Sequence, residues 1–485
     1  MYILPDFRDL NNVTHSYINP KQIEVRGFYF MKFKLSLIFF LLGSSVPCSL
    51  FCQAVPKKLI EFGWDYPTVN KLKSEITEME KAPFDGVVFS IDVDVFNVFD
   101  TVKLPDTYFK YDDLTKIKWK KFTDNFLFVR GIGHSGPHWL DDKSWQTISR
   151  NIEKLSKAIA VSNAKGIGFD AEYYYEDPTM NPWIYKPSLY NNLTYQQVGN
   201  FVRKRGSQFI RALQKYKPDV KILSFWLLGL VIDQNKNRPL PETDMALLPF
   251  FVEGMLESKT NASEIIDGNE TAYWYTNPED FILSGERLRN QGAKLILPAL
   301  REKYKAISLA QCVYLDGLYA KFPEAERGFD KPTKERWLRN NLYHAYKTTD
   351  NYIWFYNEKI NWWQDKVDSG VREIIEETKK VITAENNIKS IAPGQSKNFS
   401  SIEKPLVQEK FFEYNYVKSS NSIRIKLTSK SIKRLRLFQN SRQIYTITNP
   451  AGIITIPLNK IYNKQRSLII ITEDENLKIA VSYVN

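Results

Sequence analysis

The chain has 485 residues, of which 43% are hydrophobic and 25% are charged, and its formal net charge is +12 at pH 7. No apolar run approaches the roughly 20 residues that cross a bilayer, and the chain has neither a nucleic-acid recognition motif nor a Gly-rich phosphate loop. We therefore expect a globular protein with no transmembrane segment, no nucleic-acid partner and no nucleotide cofactor.

The basic excess lies at the end of the chain. Residues 55–390 hold 47 Lys and Arg against 46 Asp and Glu, whereas residues 391–485 hold 15 against 6. A basic cluster within this tail consists of Lys426, Lys430, Lys433, Arg434 and Arg436. An anionic glycan or an anionic cell surface is the partner that such a patch fits. The alternative is that the patch is only a solvated basic face.

The beginning of the chain has the pattern of a secretory signal peptide. Lys32 and Lys34 precede a short apolar stretch at 35–42, and a small residue, Ala54, follows. We expect 1–30 to be an upstream extension, 31–54 a signal peptide, and the mature protein to be secreted, periplasmic or bound to the cell surface. Cleavage after Ala54 would leave Cys312 as the one cysteine, so the mature chain must be stabilised by its core.

Between residues 55 and 390, strand and helix patterns alternate, as is typical of parallel βα units. Helices are predicted at 68–81, 144–162, 194–217, 245–258, 334–348 and 367–387. Strands are predicted at 59–65, 85–93, 125–133, 166–172, 221–228, 264–270, 294–300 and 352–358. Eight strands over this length predict a (β/α)8 barrel, the TIM-barrel fold, as an α/β unit.

Beyond a linker-like stretch at 392–396, the pattern changes to short alternating runs separated by turn residues. These runs are 422–427, 434–438, 443–447, 452–456, 467–471 and 478–483. We therefore predict that residues 395–485 form a small antiparallel β-sandwich.

The fourth predicted strand carries two acids at its end. Side chains alternate along a strand, so Gly166, Gly168, Asp170 and Glu172 share one face. Active sites of barrel enzymes lie at the carboxyl ends of the strands. We therefore expect Asp170 and Glu172 to project into the mouth of the barrel, where paired carboxyls can perform general acid chemistry.

Other predicted strands aim acids at the same mouth. Asp65 ends the first strand, Asp92 the second, Glu270 the sixth and Glu358 the eighth. Glycoside hydrolysis by two carboxyls needs an acid and a nucleophile or base. We expect Glu172 to be the acid and Glu358 or Glu270 its partner, with a slight preference for Glu358 because its strand parity is cleaner.

Aromatic residues at or beyond the strand ends indicate a sugar, because flat rings pack on the C–H faces of carbohydrates. His134 is expected to contact a sugar hydroxyl, since the Gly-Pro pair before His138 prevents a helical pair of metal ligands, and no metal or other cofactor is expected. The predicted substrate-binding residues are Asp65, Asp92, His134, Tyr174, Trp183, Trp226, Trp274, Tyr356 and Trp362.

The chain resembles secreted (β/α)8 glycoside hydrolases, and Phe169-Asp-Ala-Glu172 resembles the fourth-strand signature of chitinase-like enzymes. This resemblance implies that Glu172 is the general acid and that Asp170 orients a substrate acetamide. Two further aspartates of that signature are replaced by Lys165 and Gly168. The resulting hypothesis is hydrolysis of O-glycosidic bonds in a poly- or oligosaccharide. The alternatives are a non-catalytic glycan-binding barrel and a metal-dependent polysaccharide deacetylase using His134, His138 and Asp92.

Overall fold

The computed structural model describes residues 57–484 except 137, 176, 276–277, 317–330, 365, 389–411, 418–419, 421, 429–430, 440–441, 458–467 and 475–478. The predicted upstream extension, signal peptide and linker lie outside the described residues. Among the helices that are described, none is both long and apolar enough to cross a membrane.

Ten parallel strands form one sheet, in the order β8-β7-β6-β5-β4-β2-β1-β10-β9, with β3 paired to β4. β8 and β9 are separated only by Ala310, whose amide donates to the Asp267 carbonyl at 2.8 Å. The two ends of the order are therefore consecutive in the chain, and the sheet curls into a nearly closed barrel, which confirms the predicted fold. The strands are β1 (Lys58–Gly63), β2 (Gly86–Phe89), β3 (Phe96–Asn97), β4 (Phe126–Arg130), β5 (Gly166–Asp170), β6 (Lys221–Ser224), β7 (Glu264–Asp267), β8 (Ser308–Leu309), β9 (Gln311–Tyr314) and β10 (Tyr352–Asn357).

The predicted seventh strand at 294–300 is wrong. Short 3-10 turns at Ala293–Leu295 and Pro298–Leu300 occupy this stretch, and the seventh position of the barrel is filled by β8 and β9. Proline cannot donate to a strand ladder. The apolar residues that suggested a strand belong to these turns and the link between them, and they are buried there, as Ile296 is.

The helices cover the outside of the sheet. In α3 the apolar positions Ile148, Ile152, Leu155 and Ile159 recur at helical spacing and are all fully buried. A capping box at Thr194 begins the long basic helix α4. The helices are α1 (Val69–Met79), α2 (Tyr111–Leu114), α3 (Asp142–Val161), α4 (Tyr195–Gln214), α5 (Gly229–Asn235), α6 (Leu248–Ser258), α7 (Pro278–Glu286), α8 (Arg301–Lys305), α9 (Lys331–Thr348) and α10 (Val371–Ile388).

Aromatic side chains fill the inside of the barrel. Phe62 stacks on Phe225 with ring centroids 4.0 Å apart, and Phe128 meets Phe62 edge-on at 4.9 Å. A Cβ at Gly168 would lie 3.0 Å from the Phe225 ring, so the missing side chain makes room for this packing. Because Phe62 points inward, Asp65 belongs to the opposite, helix-facing side of β1. The expectation that Asp65 faces the mouth is therefore wrong.

The C-terminal strands form two antiparallel sheets, β11-β12-β15 and β14-β13-β16-β17. Residues from both sheets, among them Ile425, Leu437 and Ile470, form one apolar core, so the predicted β-sandwich is confirmed. Only β11 was missing from the predicted runs. The strands are β11 (Phe412–Val417), β12 (Ser422–Leu427), β13 (Ile432–Gln439), β14 (Arg442–Thr448), β15 (Ile453–Pro457), β16 (Leu468–Asp474) and β17 (Ile479–Val484).

One member of the basic cluster contacts the barrel. Arg436 of β13 places its Nη1 atom 2.6 Å from Oε1 of Glu279 on α7, and both side chains are largely shielded from solvent. This arginine is therefore committed to an ion pair within the chain.

Candidate active site

A cavity of about 870 Å³ opens at the carboxyl ends of the barrel strands, where barrel enzymes place their active sites. Among the described residues its walls are mainly aromatic, and its charged lining groups are five acids and one base. The charged lining residues are Arg130, Asp170, Glu172, Asp233, Glu270 and Glu358; the aromatic ones are Phe62, Trp64, Tyr66, Phe128, Tyr174, Phe225, Trp226, Tyr273, Tyr314 and Tyr356.

Asp170 and Glu172 reach the cavity from the end of β5. The strand ends at Asp170, and the Glu172 amide donates to Asp170 Oδ1 at 2.9 Å, which bends the chain just beyond the strand. The intervening Ala171 carbonyl accepts a hydrogen bond from Nε1 of the buried Trp183 at 2.7 Å. The backbone between the two acids is thus fixed on both sides.

The Tyr174 hydroxyl links the two acids. It lies 2.7 Å from Asp170 Oδ2 and 2.9 Å from Glu172 Oε2. A phenol has one proton to donate, so both contacts are satisfied when one carboxyl also carries a proton. Burial raises the pKa of Asp170 to about 7, although the hydrogen bonds from the Glu172 amide and Tyr174 oppose the rise. Near neutral pH a proton on Asp170 can therefore be shared with the Tyr174 hydroxyl.

Glu270 enters the cavity from the turn after β7. The strand ends at Asp267, Asn269 takes a left-handed conformation with φ of 50°, and the Glu270 amide donates to the Phe225 carbonyl at 3.1 Å. Burial raises the pKa of Glu270 to about 8, and the charges of Glu172 and Asp170 add to the rise. The three carboxyls therefore form one interacting group.

Glu358 lines the same cavity. It follows the last residue of β10 and is half-buried, and its Oε1 is 3.5 Å from the Tyr356 hydroxyl. Its amide donates to the Asp316 carboxylate. Glu270 is the acid whose pKa the charges of Glu172 and Asp170 raise.

The aromatic wall presents flat surface at two depths. Inside, the Tyr273 ring stacks on Tyr356 with centroids 5.1 Å apart and an angle of 10° between the planes. At the mouth, Trp64 is 68% exposed, and its indole nitrogen donates to the Tyr356 hydroxyl at 3.0 Å. Trp226 also lines the cavity but is buried. Such rings suit the apolar faces of sugars.

Several residues predicted to bind substrate lie elsewhere. Trp183 is fully buried among aromatic side chains, and Trp362 is buried with its Nε1 donating to Asn357 Oδ1 at 3.2 Å. Asp65 accepts hydrogen bonds from Asn357 Nδ2 and the Trp362 amide, each at 2.8 Å. These three hold loops onto the barrel instead of facing the cavity. The side chain of Trp274 lies outside the described part of the chain.

The residues considered for a metal site also have separate partners. Asp92 forms an ion pair with Lys110 at 2.6 Å, His134 lies 2.9 Å from Asp100, and His138 is 2.9 Å from the Ser135 hydroxyl. Neither Asp92 nor His134 is among the described residues that line the cavity. Across the described residues, no group of three or more His, Cys, Asp or Glu side chains could hold a metal ion.

Of the predicted residues, the structure gathers seven around the cavity: Asp170, Glu172, Tyr174, Trp226, Glu270, Tyr356 and Glu358. Sequence reasoning missed Arg130 and Tyr273. Arg130 could have been found by strand parity, because it ends β4 on the inward face of Phe126 and Phe128. Tyr273 lies in a 3-10 turn after β7, where no parity applies.

No protein-family model and no curated protein matches the chain. Among solved structures, it is similar to a trimodular endoglucanase of the GH5_4 subfamily, with a TM-score of 0.38, 9% identity, and 89% of this chain and 78% of that chain covered. A glucosidase from Croceicoccus marinus gives a TM-score of 0.35 and 9% identity over 83% of this chain and 93% of that one. A GH18 chitinase from Flavobacterium johnsoniae gives a TM-score of 0.32 and 14% identity over 68% of this chain and 95% of that one. These neighbours are glycosidases.

Proposed function

We propose that the protein is a secreted glycoside hydrolase that cleaves O-glycosidic bonds of a poly- or oligosaccharide by carboxyl acid/base catalysis. The observation that supports this best is the group of three interacting carboxyls in one aromatic-walled cavity, two of them linked by the Tyr174 hydroxyl. Glycosidic bond cleavage needs a proton for the leaving oxygen and a negative charge near the developing oxocarbenium ion. This cavity offers both.

Glu172 is the proposed proton donor. Its carboxyl lies at the cavity, and the Tyr174 hydroxyl connects it to the more deeply buried Asp170. Asp170 holds a proton near neutral pH and can return it to Glu172 through Tyr174 after each transfer. Asp170 is then a positioning and proton-storing group.

Glu270 is the proposed second carboxyl, as nucleophile or base. Burial and the charges of Glu172 and Asp170 raise the pKa of Glu270, so it shares one interacting group with the proposed proton donor. A charge in a water-poor site acts more strongly on a developing cation than one in solvent. We therefore assign the role to Glu270, against the slight preference for Glu358 that strand parity suggested. To act, Glu270 must give up the proton that burial favours.

The test is incubation with a panel of poly- and oligosaccharides and measurement of released reducing ends. We expect release from at least one substrate, and loss of release in Glu172→Gln but not in Glu75→Gln, whose carboxyl is exposed on α1. Binding of a glycan without release would indicate the non-catalytic glycan-binding barrel. Neither binding nor release on any substrate would contradict the proposal.

A second experiment separates the two-carboxyl scheme from the chitinase-like one. Under the first, Glu270→Gln abolishes turnover. Under the second, the substrate acetamide replaces the enzyme nucleophile, so Glu270→Gln keeps much of its activity on 2-acetamido sugars while Asp170→Asn loses it. We expect the first result.

A further inference from the structure

Arg130 is the one base among the described residues that line the cavity. It is the last residue of β4 and pairs in register with Asp170 of β5. The centre of its guanidinium lies 5.8 Å from the ring centroid of Tyr174 and 5.9 Å from that of Phe128. Two aromatic rings therefore hold the cation beside the carboxyl group.

The guanidinium has no salt bridge or hydrogen bond within the part of the chain that the structure describes, and its Nε atom is buried without a partner. Asp233, another charged lining residue, differs in this respect, since it pairs with Arg287 at 2.7 Å. Buried donors are costly unless an acceptor satisfies them. An acceptor group bound in the cavity would satisfy these donors of Arg130.

The planar guanidinium fork matches the two oxygens of a carboxylate or a sulfate better than a single hydroxyl. We propose that Arg130 binds an anionic substituent of the sugar, namely the carboxylate of a uronic acid or a sulfate ester, and so selects acidic glycans. This inference rests on the proposed function, because it identifies the substrate class of the same cavity.

The acids around Arg130 are compatible with an anionic ligand. Asp233 is neutralised by Arg287 and by Lys236 at 2.8 Å. Burial raises the pKa of Asp170 to about 7 and that of Glu270 to about 8, so these carboxyls are protonated for much of the time at neutral pH. The cavity is therefore less negative than its five acids suggest.

Tyr66 offers a second donor near the same point. Its ring packs edge-on against Phe128 with centroids 5.2 Å apart, and the Arg130 guanidinium lies 5.9 Å from the same Phe128 ring. Tyr66 lines the cavity and is half-buried. A carboxylate or sulfate on Arg130 can accept from this hydroxyl as well.

The experiment compares polymers that differ only in charge. Polygalacturonate, alginate and desulfated chondroitin are each paired with the same polymer after chemical reduction of its carboxyl groups, and sulfated chondroitin is paired with the desulfated form. Binding by calorimetry and release of reducing ends are measured for the wild type, Arg130→Met and Arg130→Lys. Arg211→Met, at an exposed position on α4, is the matched control.

We expect the wild type to prefer the charged member of at least one pair, and the pair shows whether the group is a carboxylate or a sulfate. Arg130→Met should reduce this preference about 10- to 100-fold, the usual effect of losing a hydrogen-bonded charge. Arg130→Lys should retain part of it, because the charge remains but the fork is lost. Arg211→Met should keep it in full.

The outcomes for substrate class and for hydrolysis are distinct. Cleavage of a neutral glycan with no preference for any charged polymer overturns the inference and leaves the proposed hydrolase standing. Charge-selective binding that depends on Arg130, without cleavage of anything, supports the inference and contradicts the hydrolase. Equal losses on charged and neutral members in Arg130→Met also overturn the inference, since Arg130 would then act only through Asp170. If Arg130→Met fails to fold, the wild-type preference and Arg130→Lys decide.

Discussion

The indole nitrogen of Trp183 donates a hydrogen bond to the carbonyl oxygen of Ala171 at 2.7 Å, and both residues are fully buried. Ala171 lies between Asp170 and Glu172, so a tryptophan from the following loop fixes the peptide that separates the two acids. A small displacement of reacting groups can cost about 100-fold in rate. The position of Trp183 thus bears on catalysis without any contact to substrate.

We predict that Trp183→Phe lowers kcat about 10- to 100-fold while KM changes little, because the ring volume is largely kept but the anchor of Ala171 is lost. Trp362→Phe is the matched control. Trp362 is also buried and donates its Nε1 to a side chain, but it is not among the residues that line the cavity. Steady-state kinetics and thermal unfolding of both variants check this. Equal kcat in the two variants at similar loss of stability would contradict it.

The roles of Glu172 and Glu270 predict different responses to the leaving group. When an aryl glycoside carries an acidic phenol, the phenolate leaves without needing a proton from the enzyme. Glu172→Gln should therefore lose about 100- to 10,000-fold in kcat on natural glycans and much less on such an aryl glycoside. Glu270→Gln should lose activity on both, and Glu270→Ala should be rescued by azide or formate.

Kinetics on the paired substrates check these roles, with Glu358→Gln and Glu358→Ala in parallel. Rescue of Glu358→Ala but not of Glu270→Ala would assign the second role to Glu358. A Glu172→Gln enzyme that keeps wild-type rates on natural glycans would remove its assignment as proton donor.

The pH dependence of kcat/KM follows from the three carboxyls. Glu270 must lose its proton, so activity rises as the pH approaches about 8. The group of Asp170, Tyr174 and Glu172 must keep its proton, so activity falls as the pH rises through about 7. We expect a narrow bell with its maximum between these values, and its two apparent pKa values belong to the cluster as a whole.

Tyr174→Phe should shift this profile. The Tyr174 hydroxyl lowers the pKa of Asp170, so its removal should raise that pKa and move the alkaline limb to higher pH, with a lower maximum. Tyr175→Phe, at the next residue, is the control and should leave both limbs in place. An unchanged alkaline limb in Tyr174→Phe would show that the hydroxyl does not share the proton.

The sequence predicted the placement of some site residues and not of others, for identifiable reasons. Asp170 could be predicted because β5 has one glycine-rich face. Both faces of β1 are buried, so the alternation of side chains could not show whether Phe62 or Glu61 points into the barrel. Asp65 was therefore placed on the wrong side. The direction of the Glu270 side chain could not be predicted, because the left-handed Asn269 interrupts the strand alternation after β7. Trp183 and Trp362 looked like exposed loop residues because loop burial depends on packing between distant segments.

Glu61 makes stability depend on pH. It is fully buried on the helix-facing side of β1, and no donor from the other described residues reaches its carboxyl oxygens. Burial, with the neighbouring Asp65 charge, raises its pKa well above 4.5. The folded state therefore binds this proton more tightly than the unfolded state. The stabilisation that the protonated Glu61 contributes is complete below its ordinary, unfolded-state pKa. It is lost as the pH rises through the raised pKa of the folded state.

We predict that Glu61→Gln, which stays neutral, is more stable than the wild type at pH 8 by about 1–3 kcal/mol, the range for a buried polar group without partners. The difference should vanish near pH 4. Denaturant unfolding at both pH values measures it, with Glu78→Gln, exposed on α1, as the control. A difference independent of pH would show that Glu61 does not change its ionisation on folding.

The ion pair between Arg436 of the sandwich and Glu279 of α7 predicts a packing role for the C-terminal part. Breaking one partner of a shielded pair leaves the other charge uncompensated. Arg436→Glu should therefore lower the unfolding temperature, Glu279→Arg should do the same, and the double exchange should recover much of the loss. Lys426→Glu, also in the basic cluster, should change the unfolding temperature much less, because Lys426 and its partner Glu413 are both exposed. Equal unfolding temperatures in the wild type and the three charge-reversal variants at the ion pair would show that the sandwich does not stabilise the barrel through this contact.

The alternative role of the tail is to tether the protein to anionic glycan. Lys433→Glu with Arg434→Glu should then weaken retention on an anionic polysaccharide at low salt, where exposed charges are least screened.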